Sequence, residues 1–152
     1  MNEALQNCER ILIVEDEANA RAGYEALLRK WGCEVRSVGS AEEALARIAE
    51  FRPAVVLADV ELPKMDGLEL VRRLGEELAS VPTIVVTGKG SEERAVAAIE
   101  AGAFWYIEKP LKATVLRALL DRALGKVRDQ REVASLTKEL RAAGRLGELV
   151  GA

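Results

Sequence analysis

The chain has 152 residues, of which 49% are apolar and 31% charged, a composition typical of one globular domain. Its net charge of −3 does not indicate binding to nucleic acid or to an anionic membrane. The absence of histidine excludes a Ser–His or Cys–His catalytic pair. No apolar run reaches the length of a membrane span and no signal peptide opens the chain, so we expect a cytoplasmic protein. In that compartment, Cys8 and Cys33 are expected to be reduced thiols.

Apolar runs and helical patterns alternate along the chain. We predict strands at 10–14, 33–38, 55–58, 83–86 and 104–107, and helices at 17–31, from 40, at 65–79, from 91 and from 111. Ser40 and Glu43 have the spacing of a capping box, and Ser91 is the expected N-cap of the fourth helix. The strands are continuous apolar runs, which indicates burial on both faces of a parallel sheet. The predicted fold class is therefore α/β, a doubly wound five-stranded parallel sheet with an extended C-terminal helix.

Polar side chains follow four of these strands at the point where each strand ends. They are the acidic pair Glu15-Asp16, then Asp59, Thr87 and Lys109. Because the carboxyl ends of parallel strands meet at one edge of a sheet, we expect these side chains in one pocket. Clustered carboxylates repel one another unless a cation joins them, and a few hard oxygen ligands suit Mg²⁺. The pattern predicts a metal-assisted phosphoryl site in which Asp59 is the nucleophile.

These motifs together resemble the receiver domain of a bacterial two-component response regulator. The matching segments are Glu15-Asp16, Asp59 with Leu62-Pro63-x-Met65-Asp66-Gly67, Thr87-Gly88, Gly102-Ala103-x-x-Tyr106 and Lys109-Pro110, across residues 8–124. The resemblance implies a flavodoxin-like receiver fold with strand order 2-1-3-4-5. In that order the carboxylates converge at the switch point between strands one and three.

The resemblance also implies a role for each residue of the site. Asp59 accepts a phosphoryl group from a sensor histidine kinase, and Thr87 and Lys109 contact the phosphoryl oxygens. The expected Mg²⁺ ligands are Asp16, Asp59 and the backbone carbonyl of Glu61, with Glu15 acting through water. The Lys109-Pro110 peptide bond is expected to be cis. Such a chain is a phosphoacceptor that assists its own Mg²⁺-dependent phosphorylation and dephosphorylation, and not an enzyme in the ordinary sense.

Two aromatic residues of the fifth strand are candidates for the signalling surface. In the family, movement of Thr87 toward phosphate lets the ring of Tyr106 turn inward, which remodels the surface of helix four, strand five and helix five. Trp105 occupies a position where an acidic residue is frequent. It is either an exposed residue of a partner interface or a residue of the core.

Glu61 and Lys89 are candidates for control of the phosphate lifetime. They lie two residues after Asp59 and Thr87, respectively, positions that in receivers flank the path of attacking water. Their opposite charges predict a pair across the mouth of the site, although two solvated side chains without contact are the alternative. If they pair, Glu61→Ala and Lys89→Ala should each speed autodephosphorylation, and the double variant should do little more than either.

The C-terminal segment is longer than a receiver requires. We predict a linker helix in 125–152, with an apolar stripe over 116–143 whose heptad-like spacing breaks near Asp129. The last residues resemble the entry into the ATPase domain of NtrC-type, sigma-54-dependent transcriptional activators. We therefore expect ATPase and DNA-binding output domains that are missing from this chain and no direct binding to nucleic acid or membrane. The stripe and Trp105 also predict a homodimer through the linker helix, the helix-four to helix-five face, or both.

Two other functions fit parts of the pattern. One is a stand-alone receiver that acts by docking to a partner protein. The other is an aspartyl-phosphate phosphatase of related fold, which usually needs a cap domain and an acid–base Asp two residues after the nucleophile. Val60-Glu61 follows Asp59 and no cap insertion is present, so the phosphatase ranks far below the receiver.

Overall fold

A computed structural model describes residues 9–62, 67–77, 81–88, 90 and 92–142, without the side chains of 77 and 131–142. Five strands alternate with five helices in this part of the chain. The elements are β1 (Arg10–Val14), α1 (Ala18–Lys30), β2 (Glu34–Val38), α2 (Ala41–Phe51), β3 (Val55–Asp59), α3 (Gly67–Glu77), β4 (Thr83–Thr87), α4 (Glu92–Ala101), β5 (Trp105–Glu108) and α5 (Ala113–Ala142). This alternation confirms the order of elements predicted from the sequence.

The strands form one parallel sheet in the order β2-β1-β3-β4-β5, which confirms the predicted topology. Val14 at the end of β1 pairs with Ala58, the residue before Asp59, and Asp59 pairs with Val86. The order reverses between β1 and β3, where the crossover helices leave toward opposite faces of the sheet. The carboxyl ends of these two strands therefore form the crevice in which open α/β sheets bind their ligands.

Both faces of β1, β3 and β4 are buried, which explains their continuous apolar sequences. The prediction is wrong for the edge strands β2 and β5, which carry exposed residues because no further strand of the described residues covers their open sides. Alternate residues of one strand point to opposite faces. On one face Ile11, Ile13 and Leu57 pack in a cluster with residues of α1 and α5. On the other face Leu12 and Val14 pack in a second cluster with residues of α2 and α3. The sheet thus holds the site at the carboxyl ends of its strands, between two layers of helices.

Local signals in the sequence account for two helix boundaries. Ser40 lies outside α2 and its Oγ accepts a hydrogen bond from the backbone N–H of Glu43 at 3.2 Å, as the capping pattern predicts. Arg52 ends the same helix in the left-handed conformation, with φ of 52°. The predicted cap of the fourth helix, Ser91, lies outside the described residues.

The cysteine prediction is wrong at Cys33. This residue is buried at the start of β2 and is disulfide-bonded, so it is not a reduced thiol. Cys8, the other cysteine of the sequence, lies outside the described residues. The prediction rested on the redox state expected of a compartment and not on the surroundings of the residue.

The first half of the predicted C-terminal stripe belongs to the core of this chain. Leu116, Leu120, Leu124 and Val127 of α5 are all buried. These residues therefore offer no surface to a second copy, contrary to the prediction of a dimer stripe beginning at residue 116. The helix runs through residues 124 and 125 without a break, and residues 143–152 lie outside the described part. No helix of the described residues is long and apolar enough to cross a membrane.

Candidate functional site

Asp59 is the last residue of β3 and is only 3% exposed. Its Oδ2 accepts a hydrogen bond from the Nζ of Lys109 at 2.7 Å. Its Oδ1 accepts a second one from the backbone N–H of Glu61 at 2.8 Å. A buried carboxylate requires such partners, because without them the loss of hydration is not compensated. Asp59 is thus held with a defined orientation at the mouth of the crevice.

Two further carboxylates follow β1 and face Asp59. Glu15 is 1% exposed, and its Oε2 accepts a hydrogen bond from the backbone N–H of Glu17 at 3.1 Å. Its Oε1 is buried without a hydrogen-bond partner and lies 3.8 Å from the Nζ of Lys109. The side chain of Asp16 is exposed to solvent. One carboxylate oxygen from each of Glu15, Asp16 and Asp59 lies within 4.8 Å of the other two.

The electrostatics of this cluster reflect a shortage of positive charge. Burial, with added repulsion from Asp59 and a hydrogen bond with Asp16, raises the pKa of Glu15 to about 7, although the backbone N–H of Glu17 and the charge of Lys109 oppose the shift. Burial by itself lowers the pKa of Lys109, but the hydrogen bond and charge of Asp59 outweigh it, so this pKa is raised. Among the described residues, one ammonium group thus pairs with a cluster of three carboxylates.

The donor set fits a small divalent cation. Three carboxylates converge within reach of one ion, and the Oε1 atom of Glu15 is buried without a hydrogen-bond partner. Hard oxygen ligands of this kind are those that Mg²⁺ prefers, and Asp16 leaves the site open to water on its exposed side. A bound divalent cation would also supply the positive charge that the cluster lacks.

Thr87 and Lys109 reach the same edge from the next two strands. Thr87 ends β4, is 1% exposed, and has a hydroxyl oxygen without a hydrogen-bond partner. The backbone N–H of Lys109 donates to the carbonyl of Thr87 at 2.8 Å. The Lys109-Pro110 peptide bond is cis, as the resemblance implies. All the side chains predicted at the strand ends therefore lie at one edge of the sheet.

The two aromatic residues of β5 lie at the open edge of the sheet. Tyr106 is half-buried and packs against a cluster that includes Val60, Val85 and Ala98. Trp105 is 49% exposed, so the two alternatives for this residue are resolved in favour of the surface. The side chain of Glu61 is exposed, while Lys89 lies outside the described residues, so their pairing stays a prediction.

Two residues of α1 contribute to the site although the sequence patterns did not single them out. The Nη1 of Arg21 donates to the backbone carbonyl of Glu15 at 2.8 Å and holds the loop after β1. Burial and the nearby charge of Glu15 raise the pKa of Tyr24. Their spacing of three residues was the available signal, since it puts them on one helix face.

Gly67 is required by a close approach of two backbone segments. A Cβ atom at this position would lie 2.6 Å from the Cα of Val60 and closer still to the carbonyl oxygen of Asp59. The backbone N–H of Gly67 donates to the carbonyl of Val60 at 2.8 Å.

We expect Gly67→Ala to destabilise the protein by more than about 1 kcal/mol, because the backbone next to Asp59 must shift. Urea unfolding measures this effect, with Gly75→Ala as control, where a Cβ meets nothing within 4 Å. Equal free energies of unfolding for Gly67→Ala and Gly75→Ala would show that the close backbone approach does not require glycine at position 67.

The sequence profile of the response regulator receiver domain matches residues 11–121 of the chain. The chain is 40% identical over 128 residues to the nitrogen assimilation regulatory protein NtrX of Azorhizobium caulinodans, and the match covers 83% of this chain and 28% of that protein. It is also 40% identical over 111 residues to the transcriptional regulatory protein FixJ of Rhizobium meliloti, which covers 73% and 54%, respectively. The chain thus spans about a quarter to a half of these relatives.

Solved structures give the same relationship. NtrX from Brucella abortus is similar with a TM-score of 0.79 and 37% identity, over 85% of this chain and 30% of that one. A response regulator receiver domain protein from Clostridium thermocellum is similar with a TM-score of 0.76 and 29% identity, over 79% of this chain and 97% of that one. The latter match covers nearly the whole of a receiver domain protein. The chain therefore belongs to the response regulator receiver domain family.

Proposed function

We propose that this receiver accepts a phosphoryl group on Asp59 from a sensor histidine kinase and passes the signal on through the surface of α4, β5 and α5. The main support is the environment of Asp59, a buried carboxylate 2.7 Å from an ammonium group and within 4.8 Å of two further carboxylates. Folding alone does not explain why carboxylates from the ends of two strands lie so close together. A site that receives a phosphoryl group with a divalent cation accounts for it.

The transfer follows from the positions of the donors. A bond forms between a carboxylate oxygen of Asp59 and phosphorus, while the bond from phosphorus to the histidine nitrogen of the kinase breaks and that nitrogen keeps the electron pair. Lys109, already 2.7 Å from Asp59, offers its ammonium group to the phosphoryl oxygens. The unpartnered hydroxyl of Thr87 donates a hydrogen bond to one of them.

The residues that would hold Mg²⁺ are Glu15, Asp16, Asp59 and the backbone carbonyl of Glu61. When bound, the ion neutralises charge on the phosphoryl oxygens. Glu15 supplies a buried oxygen without a hydrogen-bond partner, and the exposed side chain of Asp16 supplies another. The longer side chain of Glu15 acts through water in this proposal.

A small phosphodonor tests the proposal without the kinase. We expect acetyl phosphate with Mg²⁺ to add one phosphate to the chain, as measured by intact mass, and a chelator to prevent it. Hydroxylamine should release the phosphate, because an acyl phosphate is cleaved by this nucleophile whereas a serine or threonine ester is not. A stable, hydroxylamine-resistant adduct would contradict the assignment to a carboxylate.

The output is proposed from the relatives. Two relatives are named as regulatory proteins: NtrX of Azorhizobium caulinodans and AtoC of Escherichia coli. The match to this chain covers only 28% and 27% of their length, respectively. We propose that residues 8–124 are the receiver and that 125–152 lead as a linker helix to ATPase and DNA-binding output domains of a sigma-54-dependent activator. A stand-alone receiver that docks to a partner is the alternative, and the gene sequence beyond residue 152 distinguishes the two.

We expect the chain to form a homodimer through α4, β5 and α5. The large apolar side chains described as exposed lie on these three elements: Val96 at 56%, Trp105 at 49% and Val115 at 43%. Removing two of them should weaken the dimer about tenfold or more, because apolar anchors carry most of the energy of an interface. Sedimentation of Val96→Ser/Val115→Ser measures this, with Ala46→Ser on exposed α2 as control. A wild-type chain that stays monomeric with and without beryllofluoride would exclude the dimer.

A further inference from the structure

Trp105 and Tyr106 form a stacked pair that the backbone of a strand does not ordinarily produce. Neighbouring residues of a strand point to opposite faces, and here Trp105 pairs with Ile84 whereas Tyr106 pairs with Val85. Ile84 and Val85 belong to the hydrophobic clusters on the two different faces. Yet the two rings stack, with centroids 5.7 Å apart and planes 27° from parallel. β5 is an edge strand, so its open side leaves room for the two rings to meet.

The stack with the half-exposed Trp105 and the cavity that both residues line place the ring of Tyr106 at the open side of β5, where it also packs against the cluster that includes Val85. Val85 and Thr87 lie two residues apart on β4 and share one face, so Tyr106, the register partner of Val85, shares that face with Thr87. A Tyr106 ring that turned inward toward Thr87 would leave the open edge. It would then lose its contact with Trp105, the only ring stacked on it among the described residues.

We propose that Trp105 is a positioning residue that holds Tyr106 outward in the unphosphorylated receiver and so opposes the inward state until phosphate is bound. This inference rests on the proposed function, since it concerns the switch of the same site. A stacked aromatic pair changes an equilibrium by roughly 2- to 10-fold. A phosphoryl group that favours the inward position of Tyr106 must overcome this factor. Removing the stack removes the opposing factor, so a phosphoryl analogue should bind more tightly by the same amount.

The exposure of Trp105 is consistent with this role. A cavity of about 560 Å³ lies between β5 and the start of α5, lined by Trp105, Tyr106, Lys112 and Val115 among others. Trp105 lines this cavity and stacks on Tyr106, and it is not a core residue because half of its surface is open to solvent. Its replacement should therefore change the position of Tyr106 while leaving the packing of the sheet intact.

The test uses the full chain and three variants: Trp105→Ala, Trp105→Phe, which keeps a ring to stack, and Val115→Ala, which removes another exposed apolar residue of the same cavity. Nuclear Overhauser contacts between the Tyr106 ring and the Thr87 methyl group report the inward position without any phosphate mimic. Titration with beryllofluoride and Mg²⁺ reports the affinity for a phosphoryl analogue.

We expect Trp105→Ala to gain the Tyr106–Thr87 contact at rest and to bind beryllofluoride roughly 2- to 10-fold more tightly, while Trp105→Phe and Val115→Ala stay near wild type. A Trp105→Ala variant with unchanged contact and affinity overturns the proposal, as does one in which only self-association weakens. If beryllofluoride binds no variant, the phosphoacceptor function fails, but the contact measured without it still decides whether Trp105 positions Tyr106.

Discussion

Asp59→Asn should abolish phosphorylation of this chain by small phosphodonors. The variant keeps the shape of the side chain but loses the negative oxygen that attacks phosphorus, so the rate should fall below detection by intact mass. Because Asp59 is buried against Lys109, the fold of the variant must be checked by circular dichroism. Its Lys109 loses a charged partner, so a modest loss of stability is expected as well.

A matched variant separates loss of the nucleophile from loss of charge. Asp121 lies exposed on α5, and Asp121→Asn makes the same chemical change away from the site. We expect this variant to be labelled at the wild-type rate. Full labelling of Asp59→Asn would place the phosphate on another residue and contradict the proposed acceptor.

Glu15 should make the stability of the metal-free protein depend on pH. Its folded pKa of about 7 lies above the ordinary value of 4.5, so the folded state binds more protons than the unfolded state between these two values. Stability therefore falls as pH rises through this window, because ionisation leaves a buried charge beside Asp59. Between pH 5 and pH 8 this group should lower the free energy of unfolding by about 2–3 kcal/mol.

Urea unfolding with a chelator at pH 5 and pH 8 measures this effect. Glu15→Gln cannot ionise and should lose most of the pH dependence, whereas Glu50→Gln on the exposed side of α2 should keep it. Mg²⁺ should stabilise the wild type more at pH 8 than at pH 5, since the metal competes with the proton for the Glu15 carboxylate. The same pH dependence in wild type and Glu15→Gln would show that the Glu15 carboxylate does not carry it.

The sequence by itself determined the order of elements and the edge at which the site lies. Four of the strands (β1, β3, β4 and β5) contain a run of three or four apolar residues that ends at a polar one, and parallel strands bring these ends together by topology alone. For this reason the sequence alone predicts that Asp59, Thr87 and Lys109 share one pocket. The N-cap at Ser40 could also be predicted from the sequence, because a capping hydrogen bond joins residues only three apart.

Only the tertiary structure decided which apolar residues face inward. Leu116, Leu120 and Leu124 have a spacing that fits a dimer stripe and a core face equally well, and their packing against the sheet of their own chain settles the matter. Trp105 was ambiguous for a similar reason, since a strand pattern does not say which side of an edge strand another element covers. Its exposure and its stack on Tyr106 follow from the open edge of the sheet.

The surroundings of the carboxylates also depended on the fold. The shifted pKa of Glu15 comes from its burial and from Asp59, which is 44 positions away along the chain (59 minus 15). The part played by Arg21 required the placement of α1 over the end of β1, which no local pattern specifies. Residue types and their periods set the elements and the chemistry available, whereas distances, burial and charge balance arise only when remote segments pack together.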